Sequence, residues 1–469
     1  MPRSLYAVVA SLSLGALAVS AHAQTTAKAT TTAASGSASI GSPRLSASTS
    51  ASSSTTFLPA SAVTSAPAPT VTAAAPAYDG LPSPLRADDV VAWARAHRSE
   101  IVAAKAKAAA AAATSRVVSA LPDPMVMAAI DHLPFKLDGF NWSVLVQQDF
   151  PLGGVLGARG RVADAEGRAT AEDARTIELD VQLQALAAYL MWIELERSTV
   201  VVDEQLEIAR QVLELAKIHV SVAESVAADL VRADVDVVRL EGERSSIDAE
   251  LSAARSMLNA SLGRVATDPL PLADLIVPSS DPPIATELVT RAIGARPEVA
   301  ALVARTEKSR EHVDEMDAMY TPMAFVRAGY AQTMFDGPGV MLMVGVSVPI
   351  WRDKLAGGLD EANSMATMAD ADLAAAKRMI EGEVVAAREQ VIAARILYES
   401  VHERLIPLAQ KALTLTMTSY GAGQVPLVSV LDAARMVRES RMEDVAAGIK
   451  VAAAWAKLGR AIGMAKVGT

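Results

Sequence analysis

Trp142-Ser143-Val144-Leu145-Val146-Gln147-Gln148-Asp149-Phe150-Pro151-Leu152-Gly153-Gly154 is the stretch in which one periodicity ends and another begins. Up to Phe150 the side chains alternate, with Trp142, Val144, Val146, Gln148 and Phe150 opposite Ser143, Leu145, Gln147 and Asp149. A period of two reads as a strand. Beyond the Gly153-Gly154 corner roughly 65 residues pass before the next break near His219, and as helix at 1.5 Å per residue they reach about 100 Å. Leu179, Leu183, Leu186, Leu190 and Ile193 step along that run by four and three, the spacing of heptad packing. A short strand that feeds a rod longer than any globular domain points to an α+β fold.

Upstream, an Ala-rich helix over Leu85 to Arg116 opens on Asp88-Asp89, whose carboxylates suit a helix N-terminus. Leu121-Pro122-Asp123-Pro124 stops it, because the prolines remove donors and fix the backbone away from helix. Met125 to Leu133 then alternates, with Val126, Ala128 and Ile130 opposite Met127, Ala129 and Asp131, and forms a hairpin with the strand that starts at Trp142.

Downstream, the same order returns about 198 residues later. Pro124-Met125 matches Pro322-Met323, Phe150-Pro151-Leu152 matches Val348-Pro349-Ile350, and Leu206-Glu207-Ile208-Ala209 matches Ile406-Pro407-Leu408-Ala409. Leu262-Gly263 and Leu458-Gly459 close the copies, so residues 81–275 and 276–469 read as an internal duplication. The second hairpin runs from Pro322 to Thr333 and from Val340 to Val348 around Phe335-Asp336-Gly337-Pro338-Gly339. Leu342, Val344, Val346 and Val348 make a wholly apolar face against Met341, Met343, Gly345 and Ser347. Strands of about nine to eleven residues with one apolar face cross a bilayer inside a closed barrel, although a soluble sandwich shows the same alternation. Trp142, Phe150, Tyr330 and Trp351, near the strand ends, suit an interfacial aromatic girdle. The long helices return through Val231, Val235 and Val238, and a second heptad runs through Val401, Leu405, Leu408, Ala412 and Leu415, with a kink expected at Pro407. So few strands per copy cannot close a barrel in one chain, and the architecture is expected to be completed by oligomerisation.

Arg3, the apolar run from Leu5 to Val19 and Ala21-His22-Ala23 ahead of Gln24 read as a secretory signal over residues 1–23. Residues 24–80, rich in Ala, Ser, Thr and Pro, read as a disordered arm. With no Cys, neither lipidation at a cysteine nor a disulfide is open to the chain. A net charge of -10 argues against nucleic acid as a partner. No phosphate cradle follows Gly153-Gly154 or Gly357-Gly358, and no nucleophile triad is recognisable, so nothing points to an enzyme or a cofactor. His97, His132, His219, His312 and His402 stand singly, without ligand spacing. Met125, Met127, Met323, Met334, Met341 and Met343 gather at the strands, where thioethers would suit Cu(I) or Ag(I) but where Met is more often a space-filler; no metal site is expected.

Tyr420-Gly421-Ala422-Gly423-Gln424-Val425-Pro426 is the exposed end of a helical hairpin: the glycines release one helix and Pro426 starts the next. Its counterpart from Val220 to Leu230 has neither residue type. Together with Leu405-Ile406-Pro407-Leu408-Ala409, Val430-Leu431-Asp432 and Arg296-Pro297-Glu298, this segment resembles the signature of TolC-family outer membrane efflux proteins. Leu121-Pro122-Asp123-Pro124-Met125 followed by Gln148-Asp149-Phe150-Pro151-Leu152-Gly153-Gly154 is similar to the heavy-metal branch of that family, of the cobalt-zinc-cadmium and copper-silver kind.

The resemblance implies a homotrimer in the outer membrane of a Gram-negative cell, with a twelve-stranded β-barrel of four strands per chain continued by a long periplasmic α-helical barrel. It implies a passive duct, an inner-membrane pump of the resistance-nodulation-division class, and a periplasmic adaptor docking at the hairpin tips, here Val220, Ser221, Val222, Tyr420, Gly421, Gly423, Val425 and Pro426. It also implies an acidic gate. Asp432 and Asp229 match acidic positions of the family, whereas Ser429 stands where a second acid is usual. Like charges brought to 4 Å in water repel by about 1 kcal/mol per pair. The duct would carry heavy-metal cations; drugs or secreted polypeptides are the alternative cargo, and a periplasmic coiled-coil scaffold or adaptor is the alternative of another class.

Overall fold

The computed structural model describes residues 80–131, 141–221, 227–333 and 336–464. The expected signal sequence, almost all of the expected arm, the apex of the first hairpin and Val222 lie outside the described residues. Two short helices come first, α1 (Ala87–His97) and α2 (Ser99–Val118), followed by strands β1 (Met125–Asp131) and β2 (Asn141–Pro151). The helices α3 (Val155–Ser221) and α4 (Ala227–Ser261) then form a long hairpin. The order recurs with α5 (Ala285–Ala295), α6 (Pro297–Ala318), β3 (Met323–Thr333), β4 (Gly337–Ser347), α7 (Arg352–Ser400), α8 (Ile406–Gly421) and α9 (Leu427–Ala461). At 67 residues α3 extends to about 100 Å. Among the described residues no helix is long and apolar enough to cross a membrane.

Two elements take a form that their sequence reading does not specify. The first helix is broken at Arg98, which is extended at φ -79 and ψ 125. Its guanidinium donates to the Ala260 carbonyl at 2.9 Å and pairs with Glu100, fixing the break against the end of α4. The break turns Val90 and Ala94 of α1 into the core around Leu186, Tyr189 and Leu258. At Pro407, where the sequence predicts a kink, the helix widens. Val401–Leu405 forms a π-helical turn, closed by the Ile406 N–H on the Val401 carbonyl. The wider turn makes room for a proline ring that would otherwise meet the preceding carbonyls.

The four strands form one antiparallel sheet in the order β1-β2-β3-β4. Directly beneath it, α2 packs on α3, α3 on α6 and α6 on α7; toward the far end α8 packs on α9, α9 on α3 and α3 on α4. The chain is therefore a row at each of three levels. One edge carries β1, α2 and α4, and the other carries β4, α7 and α8.

Arg296-Pro297-Glu298 sits where α5, α6, α7 and α9 meet. Arg296 pairs with Glu298 at 3.3 Å and with Glu383 at 2.6 Å, while Arg460 holds Glu298 at 2.5 Å and Asp180 at 2.7 Å. Burial pushes the Glu298 carboxyl up, but its bonds from Arg296 and Arg460 outweigh this and hold it below the usual carboxylate range. A carboxyl depressed in the folded state stabilises fully above its unfolded value and loses that contribution as pH falls through the folded one. Glu298→Gln is expected to lower stability by about 1–3 kcal/mol at neutral pH. The difference in thermal midpoint from the parent protein should close as the pH is taken below the carboxylate range.

Candidate functional site

Directly opposed residues of an antiparallel pair share a face, so the register assigns both faces of the sheet. On one lie the rows Val126–Val146–Ala328–Leu342 and Ala128–Val144–Tyr330–Val340, with Phe150–Ala324–Val346 toward the helices. This face is apolar apart from Gln148 and Gln332, and it is open to the outside; Leu342 is 71% exposed. On the other face the Gln147 amide oxygen accepts from Arg327 at 2.5 and 3.1 Å, and the Gln147 amide nitrogen donates to Asp149 at 2.9 Å. The Arg327 guanidinium lies 5.8 Å from the Phe325 ring. One face thus suits lipid, and the other carries a polar network suited to water.

Of the expected girdle residues, Trp142 and Tyr330 pack at 5.5 Å between ring centroids at the hairpin-loop end. Phe150 and Trp351 lie at the helix end, Phe150 half-buried and Trp351 exposed. From Trp142 to Phe150 the strand runs about 26 Å at 3.3 Å per residue, which at the roughly 35–45° tilt of barrel strands spans about 19–22 Å of the roughly 25 Å apolar band of membrane barrels.

At the opposite end of the chain Val212, Ala216, Ala233, Leu413, Leu427 and Val430 make one apolar cluster from α3, α4, α8 and α9. Gly423 takes φ 67, and its N–H closes on the Tyr420 carbonyl at 2.9 Å, which ends α8. Pro426, extended at φ -76 and ψ 156, precedes α9. Gly421, Gly423, Pro426 and Ser221 are exposed, and Val220 and Val425 are half-buried. Tyr420, expected among the outward tip residues, is only 4% exposed. Its ring packs 4.7 Å from that of His219, which ties α8 to the end of α3.

The candidate gate acids differ from each other. Asp432 has a side chain 64% exposed and only a 3.7 Å pairing with Arg435. Asp229, in the first turn of α4, is 17% exposed and pairs with Arg232 at 3.2 Å. Each turns to an arginine three residues on, and Ser429 sits half-buried one turn before Asp432. Asp432 is the more available carboxylate of the two.

The heptad residues divide in a way their spacing does not reveal. Val401 is buried, but Leu408 and Leu415 are 66% and 59% exposed along α8. Val231, Val235 and Val238 are likewise exposed on α4, where Ala233, Val237 and Leu240 make the inner seam instead. Two apolar stripes therefore face away from the chain, one on each helical edge.

No family model matches the chain, and no curated protein matches it significantly. Solved structures do. A structure of CusC, described through the conformational changes accompanying its folding and transmembrane channel formation, superposes with a TM-score of 0.70 at 16% identity, over 81% of this chain and 92% of that one. The chain has the TolC-like fold of outer membrane channels. The outer membrane protein VceC of Vibrio cholerae matches with a TM-score of 0.68 at 16% identity, over 81% of this chain and 96% of its own. The open state of the Neisseria gonorrhoeae MtrE outer membrane channel gives 0.68 at 15% identity, over 81% and 89%.

Proposed function

We propose that three copies of this chain form a passive outer membrane duct, receiving heavy-metal cations from an inner-membrane pump through a periplasmic adaptor. The observation that carries this reading is the agreement of the open edges. β1 and β4 leave their outer hydrogen-bonding groups without a strand partner in the described chain, and such edges are tolerated in lipid only when a barrel closes. The exposed stripes of α4 and α8 lie on the same two edges, so one rotation that brings β4 to the β1 of the next copy also brings α8 to its α4. The apolar outer face, with aromatic residues at both ends, supports a lipid-facing barrel rather than a periplasmic scaffold. The duct supplies a path and a gate, with neither energy nor catalysis.

Asp432 is proposed as the gate acid, repeated three times around the tunnel mouth, with Asp229, paired to Arg232 on its own helix, as the second acidic position of the gate and Ser429 beside Asp432. The exposed Gly421, Gly423, Val425 and Pro426 turn, with Val220, Ser221 and Val222, is the proposed adaptor contact. Reconstituted in planar bilayers, the protein is expected to conduct with cation preference. Asp432→Asn should lower that preference several-fold by removing three like charges. Unchanged selectivity would take Asp432 out of the gate. A deletion strain complemented with the wild-type gene and grown across graded metals and hydrophobic drugs distinguishes the cargo: restored tolerance to drugs alone would keep the duct and replace the metal reading.

A further inference from the structure

A cleft of about 370 Å³ opens where α3, α6 and α7 meet, away from both the strand face and the tips. His312 on α6 and Met365 and Met368 on α7 line it. The two methionines are 42% and 58% exposed in the chain, so neither fills this chain's own core, the usual role of a thioether.

The helices set these three side chains on converging courses. α6 and α7 run antiparallel, locked in register by the Thr306 hydroxyl on the Ala369 carbonyl at 3.3 Å and by Met316 Sδ beside Gly358. That register sets Ser309 level with Met365, His312 about one turn to one side of this level and Met368 about one turn to the other. Helical side chains lean toward their own N-terminus. Because the helices are antiparallel, His312 and Met368 both lean toward the level of Met365.

The imidazole is oriented for a ligand. His312 Nδ1 lies 3.1 Å from Glu315 Oε2, and Arg159 holds the other Glu315 oxygen at 3.0 Å. A carboxylate accepts, so Nδ1–H donates to Glu315, and in the neutral imidazole this tautomer carries its lone pair on Nε2, the arrangement found behind metal-bound histidines. The local cations are neutralised: Arg305 pairs with Asp173 at 2.5 Å and Lys308 with Glu166 at 3.1 Å. Asp372, also lining the cleft, has no ion pair among the described residues. Two thioethers are soft donors, and an imidazole also suits copper. No group of three or more His, Cys, Asp or Glu side chains able to hold a metal ion occurs among the described residues.

We propose that His312, Met365 and Met368 form a binding site for a soft monovalent cation of the Cu(I) or Ag(I) type. Its use, a station for cargo in the duct wall, rests on the efflux reading; its existence does not.

Silver is the probe, being stable as the monovalent ion in aerated water where Cu(I) is not, and the chain has no cysteine to compete for it. Purified full-length protein is dialysed to equilibrium against Ag+, and bound metal is counted by mass spectrometry. Met365→Leu with Met368→Leu, volume-conserving exchanges that keep the fold, is expected to lose about one Ag+ per chain, as a soft-donor site predicts. His312→Gln should weaken that site at least tenfold. Met125→Leu with Met343→Leu, which removes two strand methionines, should leave it intact. Silver binding unchanged in the Met365→Leu/Met368→Leu protein overturns the site. If the wild-type gene fails to restore silver tolerance to a deletion strain while dialysis still shows the site, the cargo reading fails and the site stands.

Discussion

Replacing Leu342 with arginine is expected to remove the assembled protein from the outer membrane while leaving its helices folded. Leu342 lies in the row Val126–Val146–Ala328–Leu342, midway along β4 and on the apolar face. Arginine at the mid-depth of a barrel's lipid face costs about 2–4 kcal/mol, and a trimer bears that cost three times, roughly 6–12 kcal/mol in all. This is comparable to the whole stability of a typical domain. In the separate chain the side chain is 71% exposed, so the substitution breaks no internal packing. The helical circular dichroism should stay, while the heat-modifiable, detergent-resistant trimer should vanish from outer-membrane fractions. Ser143→Lys supplies the control. Ser143 lies in the row Ala129–Ser143–Ala331–Gly339 on the opposite, polar-network face, and lumen positions tolerate charge. Equal trimer yields from Leu342→Arg and Ser143→Lys would refute the assignment of faces.

How far the sequence discloses this molecule depends on whether a feature is set by local periodicity or by tertiary partners. The strands are legible because alternation survives in any environment, and the rod of α3 because no glycine-proline break interrupts Val155 to Ser221. The break at Arg98 has no proline or glycine to announce it; a bond to Ala260, 162 residues away, makes it. Pro407 announces a distortion, but nothing local says that it is absorbed as a π-helical turn. Tyr420 beside two glycines reads as an exposed tip residue, yet its ring turns inward to His219. The cleft of His312, Met365 and Met368 joins residues more than fifty positions apart, and each of the three is unremarkable alone.

The heptads show the limit most clearly, because a step of four and three specifies that a helix has a partner without specifying whose helix it is. Leu179 to Ile193 find theirs within the chain, and Leu186, Leu190 and Ile193 are buried. Leu408 and Leu415 of α8 find none there, nor do Val231, Val235 and Val238 of α4. α8 runs toward the tip and α4 away from it. Leu415 and Leu408 thus lie about 9 and 20 Å from the end of α8, and Val231 and Val238 about 6 and 17 Å from the start of α4, at 1.5 Å per residue. The offset is nearly constant, as two stripes that mesh between neighbouring copies require.

Leu408→Glu with Leu415→Glu is therefore expected to dissociate the trimer into monomers. Full burial of a leucine is worth about 1.5–3 kcal/mol, so each interface loses roughly 3–6 kcal/mol, about two to four orders of magnitude in association constant. The helices themselves should survive, since both side chains are exposed in the chain and glutamate is nearly as good a helix former as leucine. Size-exclusion chromatography with light scattering reads the oligomer, and circular dichroism reads the fold. Val235→Glu, on the opposite edge, should act in the same direction. Combining Leu408→Glu with Val238→Lys should recover part of the loss, because those two levels face each other. That recovery separates a direct α8–α4 contact from general damage to the surface, and a trimer indifferent to the glutamates would mean that the chains close through some other pair of edges.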